Sequence, residues 1–211
     1  LFRALKKGEI KAVWIACTNP AQSMPDVGEV RAALAAAEFV VLQEAYANTD
    51  TAKYADLLLP ATSWGEKEGT VTNSERRISR VRAAVPPPGE ARHDWRIALD
   101  FARRLGAELH GEERGQPLTD KLFPYTTPES IHAEHRESTR GRDLDIGGLS
   151  YDLLETAGPQ QWPYPAGAAA GKVRLYEDGV FPTPSGRARF VAVEHKPTAE
   201  QTDPARPISL L

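Results

Sequence analysis

The chain has 211 residues and a formal net charge of −3, from 26 basic and 29 acidic side chains. This balance lacks the basic surplus that is typical of proteins that bind nucleic acid or anionic membranes. The sequence has no run of about 18 apolar residues to cross a bilayer. Its single cysteine excludes an internal disulfide and a cysteine cage for zinc or iron–sulfur within these residues. We therefore expect a cytoplasmic location and no nucleic-acid or membrane partner.

The first half of the chain alternates short apolar runs with helical patterns. The continuous apolar run Ala12–Cys17 predicts a buried parallel strand. The spacing in Val27–Phe39 predicts a helix, with Asp26 at its N-cap. A second buried strand is predicted over Phe39–Glu44. Together these segments indicate a βαβ unit.

Three further elements extend this pattern. We expect a short helix over Thr49–Tyr54 and a third strand over Ala55–Leu59, which Pro60 ends because proline cannot donate to the ladder. Asp94–Leu105 has the spacing of an amphipathic helix. The predicted fold class is α/β, a Rossmann-like parallel sheet with flanking helices, in a domain of residues 1–106.

The second half, residues 107–211, is rich in proline and glycine, which favours irregular chain. Helical spacing returns only over 128–139 and 149–154. A hairpin is expected from residues 173–176 and 188–191, which flank turn residues. We interpret this half as a connecting region.

Both ends of the chain indicate an internal fragment of a longer protein. The sequence begins with Leu1 and closes on an apolar run, Pro207–Leu211, that resembles the beginning of a strand.

Polar side chains lie at the carboxyl ends of the predicted strands, at Thr18-Asn19, at Gln43-Glu44 and after Pro60. In an open α/β sheet, ligands bind in the crevice beyond the carboxyl ends of the strands. A carboxylate such as Glu44 can accept hydrogen bonds from ribose hydroxyls or from the N–H edge of guanine, although a strand-end carboxylate is more often simply solvated. The chain has no G-x-G-x-x-G turn, which disfavours an ordinary NAD site.

Five clusters carry a family resemblance in one order. They are TNP at 18–20, QE at 43–44, TDTAKYADLLLPAT at 49–62, WGEKEGTVTNSERR at 64–77 and ARHDW at 91–95. The chain resembles the molybdopterin oxidoreductase family. This resemblance implies a molybdenum ion held between two molybdopterin guanine dinucleotides, with residues 1–106 as part of the α/β domain that binds one of them.

The resemblance also implies five cofactor-binding residues. Asn19, Gln43 and Glu44 would suit the nucleoside end, Lys67 could neutralise phosphate, and Asp94 could accept N–H donors of guanine or pterin. Two alternatives come from the residues themselves. Lys67 stands between acids and could be part of a solvated charge cluster, and Asp94 could cap the helix that follows it.

No catalytic residue and no metal ligand is assigned within the chain. We expect Cys17 to be a small buried apolar side chain, and His132 and His135 to lie on a solvated helix without a third ligand. Arg76 and Arg77 follow Glu75 and indicate a structural ion-pair group.

Segments 141–165 and 174–190 resemble the assimilatory nitrate reductase branch of the family, and formate dehydrogenases share the general pattern. The resemblance implies reduction of nitrate to nitrite in nitrate assimilation. Electrons would come from a donor protein or domain through an iron–sulfur (4Fe-4S) cluster on segments outside this chain, so the isolated fragment is expected to be inactive. Two alternatives stay open: a formate dehydrogenase catalytic subunit, and a non-catalytic nucleotide-binding or scaffold module.

Overall fold

The computed structural model describes residues 1–197 and 201–208. These residues divide into two compact units, Leu1–Val173 and Arg174–Leu211. The end of the apolar run Pro207–Leu211, which was expected to begin a strand, lies outside the described residues from 209 onward.

All regular helices and strands in the described part of the chain belong to the first unit. The helices are α1 (Phe2–Lys6), α2 (Pro20–Ser23), α3 (Val27–Ala36), α4 (Asp94–His110), α5 (Glu112–Leu122), α6 (Pro128–Thr139) and α7 (Tyr151–Thr156). The strands are β1 (Ala12–Ala16), β2 (Phe39–Glu44), β3 (Leu57–Pro60), β4 (Gly69–Thr72), β5 (Arg77–Val81) and β6 (Gln160–Gln161). Short 3₁₀ helices lie at Thr51–Tyr54 and Trp64–Glu66.

A parallel three-stranded sheet in the order β1-β2-β3 organises the N-terminal part. Its strands lie in the apolar runs that the sequence predicted, as is usual for parallel strands. The burial is less complete than expected, since Leu57 and Leu58 of β3 are 43% and 37% exposed. Helices α1 and α3 contribute to its buried core, which contains Leu5, Ile15, Val30, Ala33, Leu34, Val40 and Leu42. The predicted α/β fold with a parallel sheet and flanking helices is confirmed.

Several element boundaries differ from the sequence prediction; α4, for example, continues past Leu105 to His110. Pro60 is the last residue of β3, not the residue after it, and it lies opposite Glu44. Proline has no backbone N–H to donate, but the Glu44 carbonyl still has a partner, because the next residue, Ala61, donates to it at 3.1 Å. Asp26 does precede α3, but it has a left-handed backbone (φ 52°) and its side chain makes no capping hydrogen bond.

The run WGEKEGTVTNSERR forms structure that the sequence reading did not anticipate. Strands β4 and β5 pair in an antiparallel sheet, and β6 adds to β5. A second core lies against this sheet and contains Ile78, Ile146, Leu149, Leu154 and Tyr164. Helix α5 is also formed in a segment that was expected to be irregular.

The second unit contains turns and an isolated bridge between Asp203 and Arg206. Gly186 donates to the Thr183 carbonyl at 2.9 Å, so the expected turn is present. The flanking residues 173–176 and 188–191 form no strand, and the hairpin prediction is therefore wrong for the described residues.

Helices α4 and α5 pack closely at two glycines. A Cβ atom at Gly115 would lie 2.2 Å from the Gly106 carbonyl oxygen, which is backbone and cannot give way. We expect Gly115→Ala to destabilise the protein by about 1–3 kcal/mol. The matched control is Gly28→Ala in α3, where a Cβ would meet nothing within 4 Å and should stabilise by about 0.5–1 kcal/mol. Thermal unfolding of the two variants should therefore shift in opposite directions, and equal shifts would contradict this packing.

Candidate functional site

The carboxyl ends of the three parallel strands meet the start of α4. Arg92 donates its backbone N–H to the Pro60 carbonyl at 3.0 Å, and Thr62 donates to the Arg92 carbonyl at 3.0 Å. This backbone pairing extends the β3 edge and places Asp94 beside the strand ends. Residues that are distant in sequence are thereby brought to one edge of the sheet.

Asp94 accepts hydrogen bonds from three side chains at this edge. Its Oδ1 accepts from Gln43 Nε2 at 2.8 Å and from Cys17 Sγ at 3.4 Å, and its Oδ2 accepts from Lys67 Nζ at 3.0 Å. Burial of Asp94 opposes its ionisation, but the hydrogen bonds from Gln43 and Lys67 outweigh this effect and lower the pKa of the carboxyl below its ordinary value. Asp94 is therefore a carboxylate at neutral pH.

Asp94 does not have the capping role that was offered as its alternative. The N-cap of α4 is His93, and Asp94 is the first helical residue. A carboxylate in the first turn still interacts favourably with the helix dipole.

Cys17 is exposed, and the expectation of a buried apolar side chain is wrong. Its backbone has φ 58°, which turns the chain at the end of β1 and accompanies the thiol contact with Asp94. Desolvation and the Asp94 charge raise the pKa of the Cys17 thiol, so it stays protonated at neutral pH. The described residues contain no group of three or more histidine, cysteine or acidic side chains that could hold a metal ion.

Lys67 follows the 3₁₀ helix Trp64–Glu66. The Ser63 backbone N–H donates to Glu66 Oε2 at 2.8 Å, which holds the start of this turn. Lys67 Nζ lies 5.2 Å from the centre of the Trp64 ring as well as 3.0 Å from Asp94. The ammonium group therefore contacts both the Trp64 ring and the Asp94 carboxylate. Its side chain is only 24% exposed, so the interpretation of Lys67 as a solvated charge is wrong.

Glu44 ends β2 and shapes the loop that follows. Its Oε1 accepts from the backbone N–H groups of Ala45 at 2.7 Å and Tyr46 at 3.3 Å. The side-chain hydrogen bonds of Glu44 within the described residues both use Oε1. Its Oε2 is consequently available to a ligand.

A cleft of about 440 Å³ opens at this edge. Its lining residues are Cys17, Glu44, Ala45, Tyr46, Ala61, Thr62, Ser63, Trp64, Lys67 and Asp94. Three of the five predicted site residues, Glu44, Lys67 and Asp94, thus line one cleft. Gln43, which is 4% exposed, lies behind Asp94 and orients it.

Asn19 is directed elsewhere. Its Oδ1 accepts from the backbone N–H of Thr51 at 3.0 Å and from the Thr51 hydroxyl at 2.7 Å, and its Nδ2 donates to Gln22 at 2.8 Å. These bonds connect the end of β1 to the 3₁₀ helix Thr51–Tyr54. In this conformation the Asn19 side chain does not line the cleft.

Sequence reasoning missed three residues of the cleft. Tyr46 and Trp64 are large aromatic side chains that are 64% and 61% exposed, and Thr62 is buried with a hydroxyl that has no hydrogen-bond partner among the described residues. No periodicity marks them, since Tyr46 and Thr62 lie in loops and Trp64 begins a single 3₁₀ turn. The available signal was that all three lie within four residues of a strand end.

The remaining candidates have structural roles. His132 is buried in α6, and its ring nitrogens contact the Thr70 hydroxyl and the Leu149 carbonyl, so its predicted position on a solvated face is wrong. Arg77 pairs with Glu75 as expected. Arg76 instead donates to backbone carbonyls, among them that of Trp162.

The fold and the cleft define a class: an α/β domain with a polar crevice at the carboxyl ends of parallel strands, which is the usual place for a nucleotide-containing ligand. The profile of the family described as molybdopterin oxidoreductase matches residues 1–104. The chain belongs to the molybdopterin oxidoreductase family. Membership implies a molybdopterin cofactor.

Similar proteins include nitrate reductases and formate dehydrogenases. The nitrate reductase of Synechocystis is 40% identical over the whole chain, which spans 28% of that relative. The assimilatory nitrate reductase catalytic subunit of Bacillus subtilis is 36% identical over 97% of the chain and 27% of the relative. The F420-dependent formate dehydrogenase subunit alpha of Methanocaldococcus jannaschii is 38% identical over 95% of the chain and 27% of the relative. The chain thus spans about a quarter of the length of these relatives.

A solved structure supports the fold. Acetylene hydratase from Pelobacter acetylenicus superposes with a TM-score of 0.58, at 21% identity, over 88% of this chain and 23% of that protein.

The cleft residues fit a nucleotide-bearing cofactor. The unpartnered Thr62 hydroxyl lines the cleft, and a buried hydroxyl without a hydrogen bond costs free energy unless a ligand satisfies it. The Lys67 ammonium suits a phosphate, and the free Glu44 oxygen suits an N–H donor. The volume lies within the range of about 300–1,000 Å³ that is usual for small-molecule sites.

Proposed function

We propose that this chain binds one guanine dinucleotide of a molybdenum-bis(molybdopterin guanine dinucleotide) cofactor, through the cleft at the ends of β1–β3. The observation that carries the proposal is that Glu44, Lys67 and Asp94 line one cleft in a chain that belongs to a molybdopterin family. The cofactor would be shared with segments of the protein outside this chain.

The five residues divide into two roles in this proposal. Glu44 accepts hydrogen bonds from the N–H groups on the edge of guanine, and the Lys67 ammonium neutralises the negative charge of a phosphate. Asp94 holds Lys67 in place and can accept a further N–H donor. Gln43 and Asn19 act behind them: Gln43 orients Asp94, and Asn19 fixes the Thr51 loop beside the strand ends.

We further propose that the full-length protein reduces nitrate to nitrite in nitrate assimilation, in the cytoplasm. When bound, the molybdenum cofactor supplies the redox chemistry, and an iron–sulfur cluster and an electron donor outside this chain supply electrons. Identity of 40% to a nitrate reductase over the whole chain supports this proposal. No helix in the described part of the chain has the length and apolar character needed to cross a membrane.

Two alternatives remain for the test to distinguish. Identity of 38% to a formate dehydrogenase subunit favours formate oxidation as the second candidate. A non-catalytic nucleotide-binding module is the third, since the described residues hold no metal-ligand group.

The test is turnover by the purified full-length protein with a dye as redox partner. We expect nitrate-dependent oxidation of a reduced dye, and no formate-dependent reduction of an oxidised dye. Formate turnover without nitrate turnover would replace the proposal by the second candidate. Full-length protein from a host that makes the cofactor would favour the binding module if it retains no molybdenum, binds nucleotide and turns over neither substrate.

A further inference from the structure

Two exposed aromatic side chains line the cleft that also contains Glu44. Tyr46 lies two residues after Glu44, in the loop that the Glu44 carboxylate shapes. Trp64 lies in the 3₁₀ turn on the other polypeptide segment of the cleft. They are 64% and 61% exposed, although a tryptophan or tyrosine usually buries most of its ring.

Polar groups of the cleft contact both aromatic residues. The Tyr46 backbone donates to Glu44 Oε1 at 3.3 Å, and Lys67 Nζ lies 5.2 Å from the centre of the Trp64 ring. Lys67 is itself held by Asp94 at 3.0 Å. The network that orders the polar groups of the cleft therefore also contacts the Tyr46 backbone and the Trp64 ring.

Flat rings beside a hydrogen-bond acceptor are the arrangement by which proteins bind nucleobases. Every base has a π-face that stacks on an aromatic side chain, while its edge needs specific partners. An apolar aliphatic partner would not require an acceptor such as Glu44, and a metal ion would not require the rings. The occupant that uses both features is a planar heterocycle with N–H donors on one edge.

We propose that Tyr46 and Trp64 are stacking residues for the planar heterocycle that Glu44 recognises, with Trp64 as the main stacking surface. This inference rests on the proposed function and adds residues to the same site. Glu44 selects the edge of the base, and the rings supply affinity that depends little on which base is present. The unpartnered Thr62 hydroxyl adds a hydrogen-bonding group at the same site.

The test uses the full-length protein prepared in a host that cannot make molybdopterin, with GDP and ADP as probes in calorimetry. We expect Trp64→Leu to weaken GDP binding by about 5- to 150-fold, the range measured when a stacking ring is removed. Trp64→Phe keeps a flat ring and should retain most of the affinity. Tyr46→Leu and Tyr46→Phe form a second matched pair, with a smaller loss for leucine.

Fluorescence gives a second readout that a purely structural role would not change. GDP should quench tryptophan emission in the unsubstituted protein, and Trp64→Phe should lose part of that quenching while it keeps binding. Phe123→Leu is the control, because Phe123 is exposed in the same unit but does not line the cleft.

The outcomes separate the two proposals. If Trp64→Leu binds GDP as tightly as the unsubstituted protein while Glu44→Gln loses preference for GDP over ADP, the stacking role is overturned and the guanine site stands. If the unsubstituted apoprotein binds neither nucleotide, both are overturned. Nitrate turnover by the loaded protein, measured separately, decides the redox function.

Discussion

Asp94→Ala is expected to lower the stability of the cleft region by about 2 kcal/mol and to release the cofactor from the full-length protein. The substitution removes the acceptor of the buried Gln43 amide and of the Lys67 ammonium, whose side chain is only 24% exposed. Both groups would then lie partly or fully out of water without a partner. Hydrogen–deuterium exchange in β2 and the first turn of α4 would locate the loss, and molybdenum content would measure cofactor retention.

The pH dependence gives this prediction a second check. Because the folded state lowers the pKa of Asp94, its contribution is complete above the pKa of the unfolded chain, about 3.9, and is lost as the pH falls through the lower folded value. The difference between the unsubstituted protein and Asp94→Ala should therefore be constant near neutral pH and shrink in acid. Asp100→Ala is the control on the same helix, since its surface pair with Arg92 should contribute under about 1 kcal/mol. Equal effects of the two substitutions would contradict the buried role of Asp94.

The sheet was predictable because its strands are uninterrupted apolar runs. Segments such as Phe39–Glu44, which formed β2 with the predicted bounds, favour a strand of a parallel sheet, although Phe39 at its start is 43% exposed. The convergence of Glu44 and Asp94 was predictable only in part. Strand ends share an edge by topology, but the pairing of Arg92 with Pro60 and Thr62 that brings Asp94 there is a tertiary contact without a local signal.

The prediction of irregular chain after residue 106 was wrong for α5, because a glycine in this segment allows close helix packing and does not make the chain flexible. Helix α5 contains Gly115 and Pro117, which favoured an irregular chain. In the structure, Gly115 lets α5 approach the Gly106 backbone in α4, and that contact outweighs the poor intrinsic helix propensity of the segment. A contact between two helices cannot be read from the sequence of either one.

The direction of individual side chains was the least predictable feature. Asn19 and Glu44 both lie at strand ends, but Glu44 lines the cleft while the Asn19 side chain binds Thr51. The difference depends on which hydrogen-bond partners the following loop supplies. The sequence did not predict Tyr46 and Trp64 as cleft residues for the same reason.

Arg76→Asn is expected to destabilise the segment around residues 159–173 by about 2 kcal/mol. The Arg76 guanidinium donates to the carbonyls of Trp162, Lys172 and Val173 and lies against the Trp162 ring, so it connects the β4–β5 turn to a distant loop. Asparagine is chosen because Arg76 has φ 64°, a conformation that asparagine tolerates. The substitution therefore removes the guanidinium without adding backbone strain, and hydrogen exchange of residues 159–173 measures the result.

Arg77→Ala provides the comparison within the same run. Arg77 is adjacent in sequence, but its main partner is the exposed carboxylate of Glu75, so its loss should cost well under about 1 kcal/mol. Equal effects would mean that the carbonyl contacts of Arg76 contribute no more than a surface ion pair. A larger effect for Arg76 would divide WGEKEGTVTNSERR into two parts: its first residues form a wall of the cofactor cleft, and its last residues hold the second sheet to the loop that follows β6. The run would then identify the family because it meets both a ligand-binding and a folding requirement.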